Sequence, residues 1–296
     1  MPRFQHDQAE GLRRLLDRNS LRVVTISSGN GGSGKTRAII NLAGALSEIG
    51  RDVLILDENP AGQGVTAALG LEARFDLDDV MTRKRNLDEV IVRGPAGLVI
   101  LPLARGARSL SQLAAAERQQ LVDRCSRLSI PVDTLLVDAA QGGASTLLWP
   151  GLAAQEVIVL AGGGAAAITA AYALIKRLSG ECARRDFHLL VSDMASEAEA
   201  RTIFGNMASV ARRYLKVSVD FMGHIPPDDK LQHAALLRLP VVAAFPDAVA
   251  AKSFRRLAEA MTSWPQGDEV SSGFDDFMRR LIHSGCIPAN AATTSH

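Results

Sequence analysis

The sequence predicts an α/β protein with a doubly wound, mainly parallel sheet. Two observations predict it. Seven short apolar runs rich in β-branched residues recur at 22–27, 52–57, 97–102, 133–138, 156–161, 187–192 and 217–223. Each is apolar on both faces, as a strand buried between two helical layers must be. The stretches between the runs have lengths that suit crossover helices. No break in composition divides 21–265, so a single domain is expected there, with a terminal segment at each end, 1–20 and 266–296.

Residues 4–17 read as a short amphipathic helix with Leu12, Leu15 and Leu16 on one side. The first strand, RVVTIS, follows at Arg22. The next helix is expected over Lys35–Ile49. Ile39, Leu42, Ala43, Leu46 and Ile49 fall at helical spacing, and Gly50 supplies the stop. Trp264-Pro265-Gln266-Gly267-Asp268 reads as a linker. Beyond it Phe274, Phe277, Met278, Leu281 and Ile282 fall on one face of a short helix. The final PANAATTSH segment reads as a flexible tail.

Composition excludes several function classes. Of 296 residues, 47% are hydrophobic and 22% charged, which suits a globular domain with a large core. A net charge of +1 gives no global nucleic-acid footprint, and 4% aromatics argue against base-stacking surfaces. Cys125, Cys182 and Cys286 are far apart and form no CxxC pair, which argues against a disulfide framework or zinc site. The first residues contain no apolar signal core, and no run reaches the ~18–20 apolar residues of a spanning helix. A cytoplasmic protein is expected.

Chemistry concentrates between Ser27 and Thr36. Gly29-Asn30-Gly31-Gly32-Ser33-Gly34-Lys35-Thr36 matches the P-loop pattern, with a strand before it and a helix after it. Its glycines let successive N–H groups point at phosphate oxygens. Lys35 would reach the β- and γ-phosphates, and Thr36 would offer its hydroxyl to Mg²⁺. The following helix turns its positive end to the same anion. Asp57 and Asp138 close two apolar runs and would sit at the carboxyl edge of a parallel sheet, where magnesium waters could be ordered. Asp138 opens a DxxxG arrangement whose Gly142 N–H could sense a γ-phosphate. The GTPase base-reading NKxD motif is absent, so ATP or ADP with Mg²⁺ is the expected ligand.

These residues resemble the MinD/ParA class of P-loop ATPases, whose deviant loop reads KGGxGKT. More narrowly, the chain is similar to the FlhG (FleN) family, MinD-like regulators of flagellar number and placement. The segment Asp7-Gln8-Ala9-x-x-Leu12-Arg13 is the most specific match, with further matches at AAYALIKRL (170–178), GHIPPDDKLQHA (223–234) and the stretch ending at Pro265. The resemblance implies that 1–20 stimulates an FlhF-type SRP GTPase, with Gln8 completing its site. It implies a flagellar transcription activator and switch-complex proteins as further partners, and an ATP-dependent homodimer. Arg37, Ser192 and Pro226 would lie at the nucleotide. Phe274, Phe277, Met278, Leu281 and Ile282 would form a membrane-contacting face at the inner surface near the cell pole; docking of that helix on the domain is the other reading.

Four positions depart from the family pattern. Asn30 replaces the signature lysine, Asn59 the water-orienting acid, Arg37 the second threonine of GKTT, and Ser192 the adenine-reading asparagine. Asn30 removes a charge-assisted phosphate contact, and Asn59 cannot act as a base. Slow or absent hydrolysis is therefore expected, with binding through Lys35 and Thr36 retained. A pseudo-ATPase scaffold and an active partitioning ATPase are the alternatives. The second is weakened by the near-neutral charge, Arg184–Arg185 and Arg212–Arg213 being small basic pairs.

Overall fold

The computed structural model describes residues 21–29, 34–60, 62–140, 156–181, 183–265 and 273–284. Eight strands make one sheet: β1 (Arg22–Ser28), β2 (Val53–Asp57), β3 (Val92–Arg93), β4 (Val99–Pro102), β5 (Thr134–Asp138), β6 (Glu156–Gly162), β7 (Asp186–Ser192) and β8 (Ser218–Ile225). Their order is β3-β4-β2-β5-β1-β6-β7-β8. Every neighbouring pair is parallel except β3 with β4. The longest helices are α1 (Lys35–Glu48), α2 (Ala115–Cys125), α3 (Ala165–Glu181), α4 (Glu197–Leu215), α5 (Val249–Thr262) and α6 (Phe274–Ser284).

Alternation along the strands builds a core on each face. Val24 and Ile26 of β1 point into one cluster with α1 and α5. Val23 and Leu135 point the other way, into a cluster with α2 and α6. Val157, Val159, Leu189 and Val191 join α3 and α4 in a third cluster. After β1 the chain moves to β2, beyond β5; after β5 it resumes at β6, on the far side of β1. The strand order thus reverses around β1, and the carboxyl ends open a crevice there.

All seven predicted runs are strands, with two differences in detail. The 97–102 run starts as a strand only at Val99, because Ala96 and Gly97 adopt φ of 53° and 76° in a tight turn between β3 and β4. β3 is only two residues long and left no pattern to read. β8 carries a bulge: Leu189 faces Phe221 and Leu190 faces Gly223, leaving Met222 as the extra residue. Helix α1 ends at Glu48, one residue short of the expected Ile49, and Gly50 follows at φ 83°.

The amino edge of the sheet is tied by three contacts. Arg22 at the start of β1 pairs with Glu156 at the start of β6, 2.6 Å away. Its other nitrogen donates to the Trp264 carbonyl at 2.8 Å. The Trp264 ring stacks on His188 of β7, with centroids 3.9 Å apart and planes 6° from parallel. Burial pushes the Glu156 carboxyl up to about 7, against the pull of Arg22.

Helix α6 docks on the domain. Phe274, Phe277, Met278, Leu281 and Ile282 are all at most 7% exposed and lie in the cluster that includes α2. Asp275 and Asp276 occupy its first turn, where the helix dipole favours negative charge. Contact of these five side chains with a membrane therefore requires α6 to leave its place. No described helix is long and apolar enough to cross a membrane.

Candidate nucleotide-binding site

The site forms where β1 hands over to α1. Gly34 takes the left-handed conformation, φ 77°, that glycine adopts at little cost. Its carbonyl accepts the first helical bond, from Ala38 N–H at 2.8 Å. Gly29 is fixed for a different reason: a Cβ there would lie 2.0 Å from the Ala170 carbonyl oxygen, so α3 closes over the start of the loop. Asn30, Gly31, Gly32 and Ser33 lie outside the described residues.

Lys35 and Thr36 both converge on β5. The Lys35 side chain is buried, and its Nζ lies 2.6 Å from Asp138 Oδ1. The same ammonium donates to the Ala139 carbonyl. Thr36 Oγ1 donates to Asp138 Oδ2 at 2.9 Å. Asp138 has no solvent exposure, and Ile26 is its register partner on β1. Buried charge of this kind persists only when it is paired and hydrogen-bonded. Arg37 follows, partly buried, and its carbonyl accepts from Asn41 Nδ2 at 2.7 Å. Asn41 Oδ1 in turn accepts from Val241 N–H at 2.6 Å, which fixes α1 to the segment beyond β8. Only its place on the helix was legible in the sequence.

Asp57 ends β2 beside Asp138, its direct register partner. The Asp57 Oδ2 atom accepts from Val65 N–H at 2.8 Å and Thr66 N–H at 3.2 Å, at the start of the short helix Gly64–Ala68. Gly64 makes room for it, since a Cβ there would sit 2.3 Å from Asp57 Oδ1. Asp57 Oδ1 accepts from Asn59 twice, from its N–H and from its Nδ2, each at 3.1 Å. Burial, reinforced by the charge of Asp138, pushes the Asp57 carboxyl up to about 6 despite these donors. Asn59 Nδ2 also donates to the Asp138 carbonyl at 3.1 Å. Both hydrogens of the Asn59 amide are thus taken, one by Asp57 and one by the Asp138 carbonyl.

Glu58 was not singled out in the sequence. It is buried, and its Oε2 accepts from Ala140 N–H at 2.9 Å, while its own N–H donates to the Asp138 carbonyl at 3.3 Å. An acid directly after a strand-closing aspartate, at the end of a buried run, was the available signal.

Ser192 ends β7 opposite Gly162 of β6. Its hydroxyl is buried and finds no hydrogen-bond partner among the described residues. Pro226, also buried, follows β8 alongside. β7 lies two strands from β1, about 10 Å at ~4.8 Å per strand, so an unpaired hydroxyl stands about a nucleoside's length from the P-loop. Among the described residues no group of three or more His, Cys, Asp or Glu is arranged to hold a metal. Mg²⁺ is typically held by one or two carboxylates plus phosphates and water. Thr36 with Asp138 offers such a minimal donor set. Gly142 and the segment bearing Asp7, Gln8, Ala9, Leu12 and Arg13 lie outside the described residues.

Residues 24–241 match the family model of the CobQ/CobB/MinD/ParA nucleotide binding domain. The antiactivator FleN of Pseudomonas aeruginosa is 32% identical over 271 residues, spanning 92% of this chain and 97% of that protein. The chain belongs to the FleN/FlhG type of the MinD/ParA family. A second relative of this type, the flagellum site-determining protein YlxH of Helicobacter pylori, is 24% identical over 272 residues, 90% of this chain and 91% of that one. The MinD structure from Pyrococcus horikoshii OT3, solved with Mg-ADP, aligns with a TM-score of 0.58 at 20% identity, covering 82% of this chain and 96% of that one. A MinD-like P-loop fold follows.

Proposed function

We propose that this FleN/FlhG-type protein is an ATP-binding regulator of flagellar number and placement whose own hydrolysis is slow or absent. The observation that carries the second half is Asn59. Its Nδ2 is taken up by donation to both Asp57 and the Asp138 carbonyl, and an amide at this position, unlike a carboxylate, supplies no base for an attacking water. Lys35 and Thr36 remain in place at the head of α1, where phosphate binding needs them. Bound Mg²⁺ would neutralise phosphate charge. Thr36 and Asp138 would hold it, and Asp57 would order its waters once ionised. Lys35 would leave the Ala139 carbonyl for the phosphates.

The regulatory output in this reading is protein binding. Residues 1–20, with Asp7, Gln8, Ala9, Leu12 and Arg13, would engage and stimulate an FlhF-type SRP GTPase. A flagellar transcription activator, switch-complex proteins and a nucleotide-dependent second copy are further partners. The face of α6 would contact the inner membrane near the pole when undocked.

Calorimetry with ATP and ADP plus Mg²⁺ tests the site. Binding without turnover, lost in Lys35→Ala, is expected; turnover at the rate of ordinary MinD-like ATPases under matched conditions would refute the slow-hydrolysis reading. A peptide of residues 1–20 is expected to raise GTP turnover by an FlhF-type GTPase, and a peptide without effect would remove that partner.

A further inference from the structure

We infer that the outer edge of β8 is a docking site for an extended, acidic segment of a partner protein. The segment adds to the sheet as a ninth strand and seats one apolar side chain in a cavity beside the β8 bulge.

β8 is the last strand of the sheet. β7 pairs with one side of it, and no described strand pairs with the other. Such an edge keeps a row of N–H and C=O groups free to pair with a second chain. A bulge often protects an edge by twisting it away from partners. Here the bulge, at Met222, borders a cavity of about 170 Å³. The four consecutive residues 221–224 line it, together with side chains of α4 and α5. Phe221, Gly223 and His224 are partly exposed, so neither helix seals the strand.

The lining divides in two. Phe221, Met222 and Leu257 are its apolar part, and Arg201, Arg256 and His224 supply nitrogen groups. Met222 and Leu257 are buried whereas Arg201 and Arg256 are exposed, so the apolar part is the deeper one. The carboxylate of the lining, Glu197, is taken by Arg201 at 2.7 Å, and the same guanidinium lies 4.6 Å over the Phe221 ring. Arg256 has no carboxylate partner among the described residues. Its Nη2 donates to Ser253 Oγ at 3.5 Å, the limit of a hydrogen bond. Two guanidinium groups thus stand against one carboxylate, and the one on α5 is open to a further acid. A strand places residues i and i+2 on one face about 7 Å apart, so one can fill the cavity while the next presents a carboxylate to Arg256.

Cavity size and charge select this occupant. Pockets for free drug-sized ligands measure about 300–1,000 Å³, so this one suits a single side chain. A second copy pairing through the same edge would set the guanidinium-rich lining against itself.

The test is selection of random eight-residue peptides, displayed on phage, against the full chain. The selected peptide is then synthesised and measured by fluorescence anisotropy and amide hydrogen exchange. Enrichment of sequences alternating apolar and acidic residues is expected, with slower exchange over 219–224 in the complex. Arg256→Glu, checked for folding by circular dichroism, should weaken the peptide roughly tenfold, and Arg256→Lys less than about threefold. Methylating the backbone nitrogens of the peptide removes its donors and keeps its charges, and should abolish binding. No enrichment, enrichment without acidic residues, equal affinity for Arg256→Glu, or protection elsewhere than β8 overturns the inference. Undiminished binding of the methylated peptide overturns it too, since it means charge attraction without strand pairing. So does self-association of the free chain that slows exchange over 219–224, which assigns the edge to a second copy, or displacement of the peptide by millimolar free glutamate, which assigns the cavity to a small anion.

Discussion

Asn59→Asp puts a carboxylate where the structure has an amide that donates at 3.1 Å to Asp57 Oδ1 and to the Asp138 carbonyl. Two hydrogen bonds are lost, at about 0.5–1.5 kcal/mol each. A like charge also arrives about 4 Å from that of Asp57, worth up to about 4 kcal/mol at an effective dielectric of 20. The protein has a cheaper escape. Asp57 sits at about 6, so protonating it at pH 7 costs only about 1.4 kcal/mol. The net loss at pH 7 is then about 2–4 kcal/mol, and it grows by up to about 1.4 kcal/mol between pH 7 and pH 8 as the escape becomes dearer. In a domain this size that lowers Tm by roughly 5–12 °C. Thermal unfolding of both proteins at pH 6, 7 and 8, with and without Mg²⁺, measures it. The deficit should widen with pH and shrink when Mg²⁺ is added. A variant melting within about 2 °C of its parent at pH 8 without Mg²⁺ would show that Asn59 is not the donor bridge described here.

Three further perturbations have signs fixed by the structure. A carboxyl raised from 3.8 to about 6 binds its proton more tightly in the folded state, so Asp57 contributes stability below about pH 4 that is lost as pH rises through 6. Glu156, raised to about 7, adds a loss of the same sign up to that pH. Asp57→Asn should therefore flatten the stability profile between pH 4 and 6 by up to about 3 kcal/mol, read from urea midpoints across that range, and leave the Glu156 part standing. Phe277→Ala should cost about 3–5 kcal/mol of α6 docking, seen as faster amide exchange over 274–284 while β1 and β5 stay protected. Gly29→Ala drives a Cβ to 2.0 Å from the Ala170 carbonyl, so backbone must move on one side or the other; weaker nucleotide binding and a stability loss of about 1–3 kcal/mol are expected, and an unchanged affinity would mean the loop yields without cost.

The sheet was legible because its strands are buried on both faces: DVLILD and DTLLVD have no other economical place in a folded chain. The P-loop was legible because its glycines and Lys35-Thr36 form a contiguous pattern. The two-residue β3 and the bulge at Met222 were not, since neither alters a period over enough residues to register. The partners within the site escaped for a different reason. That Lys35 and Thr36 both land on Asp138 depends on β5 inserting between β2 and β1, a matter of strand order across about 100 residues. Glu58 was not singled out because its contact with Ala140 exists only once that insertion is made. For α6 the apolar face was plain, but amphipathicity alone does not distinguish a membrane from the flank of α2.

The Arg22–Trp264 tie gives the molecule two poles. Leu21 directly precedes β1 and Trp264 follows α5, so the chain before the first strand and the chain after the last core helix meet at the amino edge, bound through one guanidinium. The phosphate loop stands at the other end of β1, about 20 Å away at ~3.3 Å per residue. A ligand held at the carboxyl end of β1 would therefore be separated from this tie by the whole length of the strand.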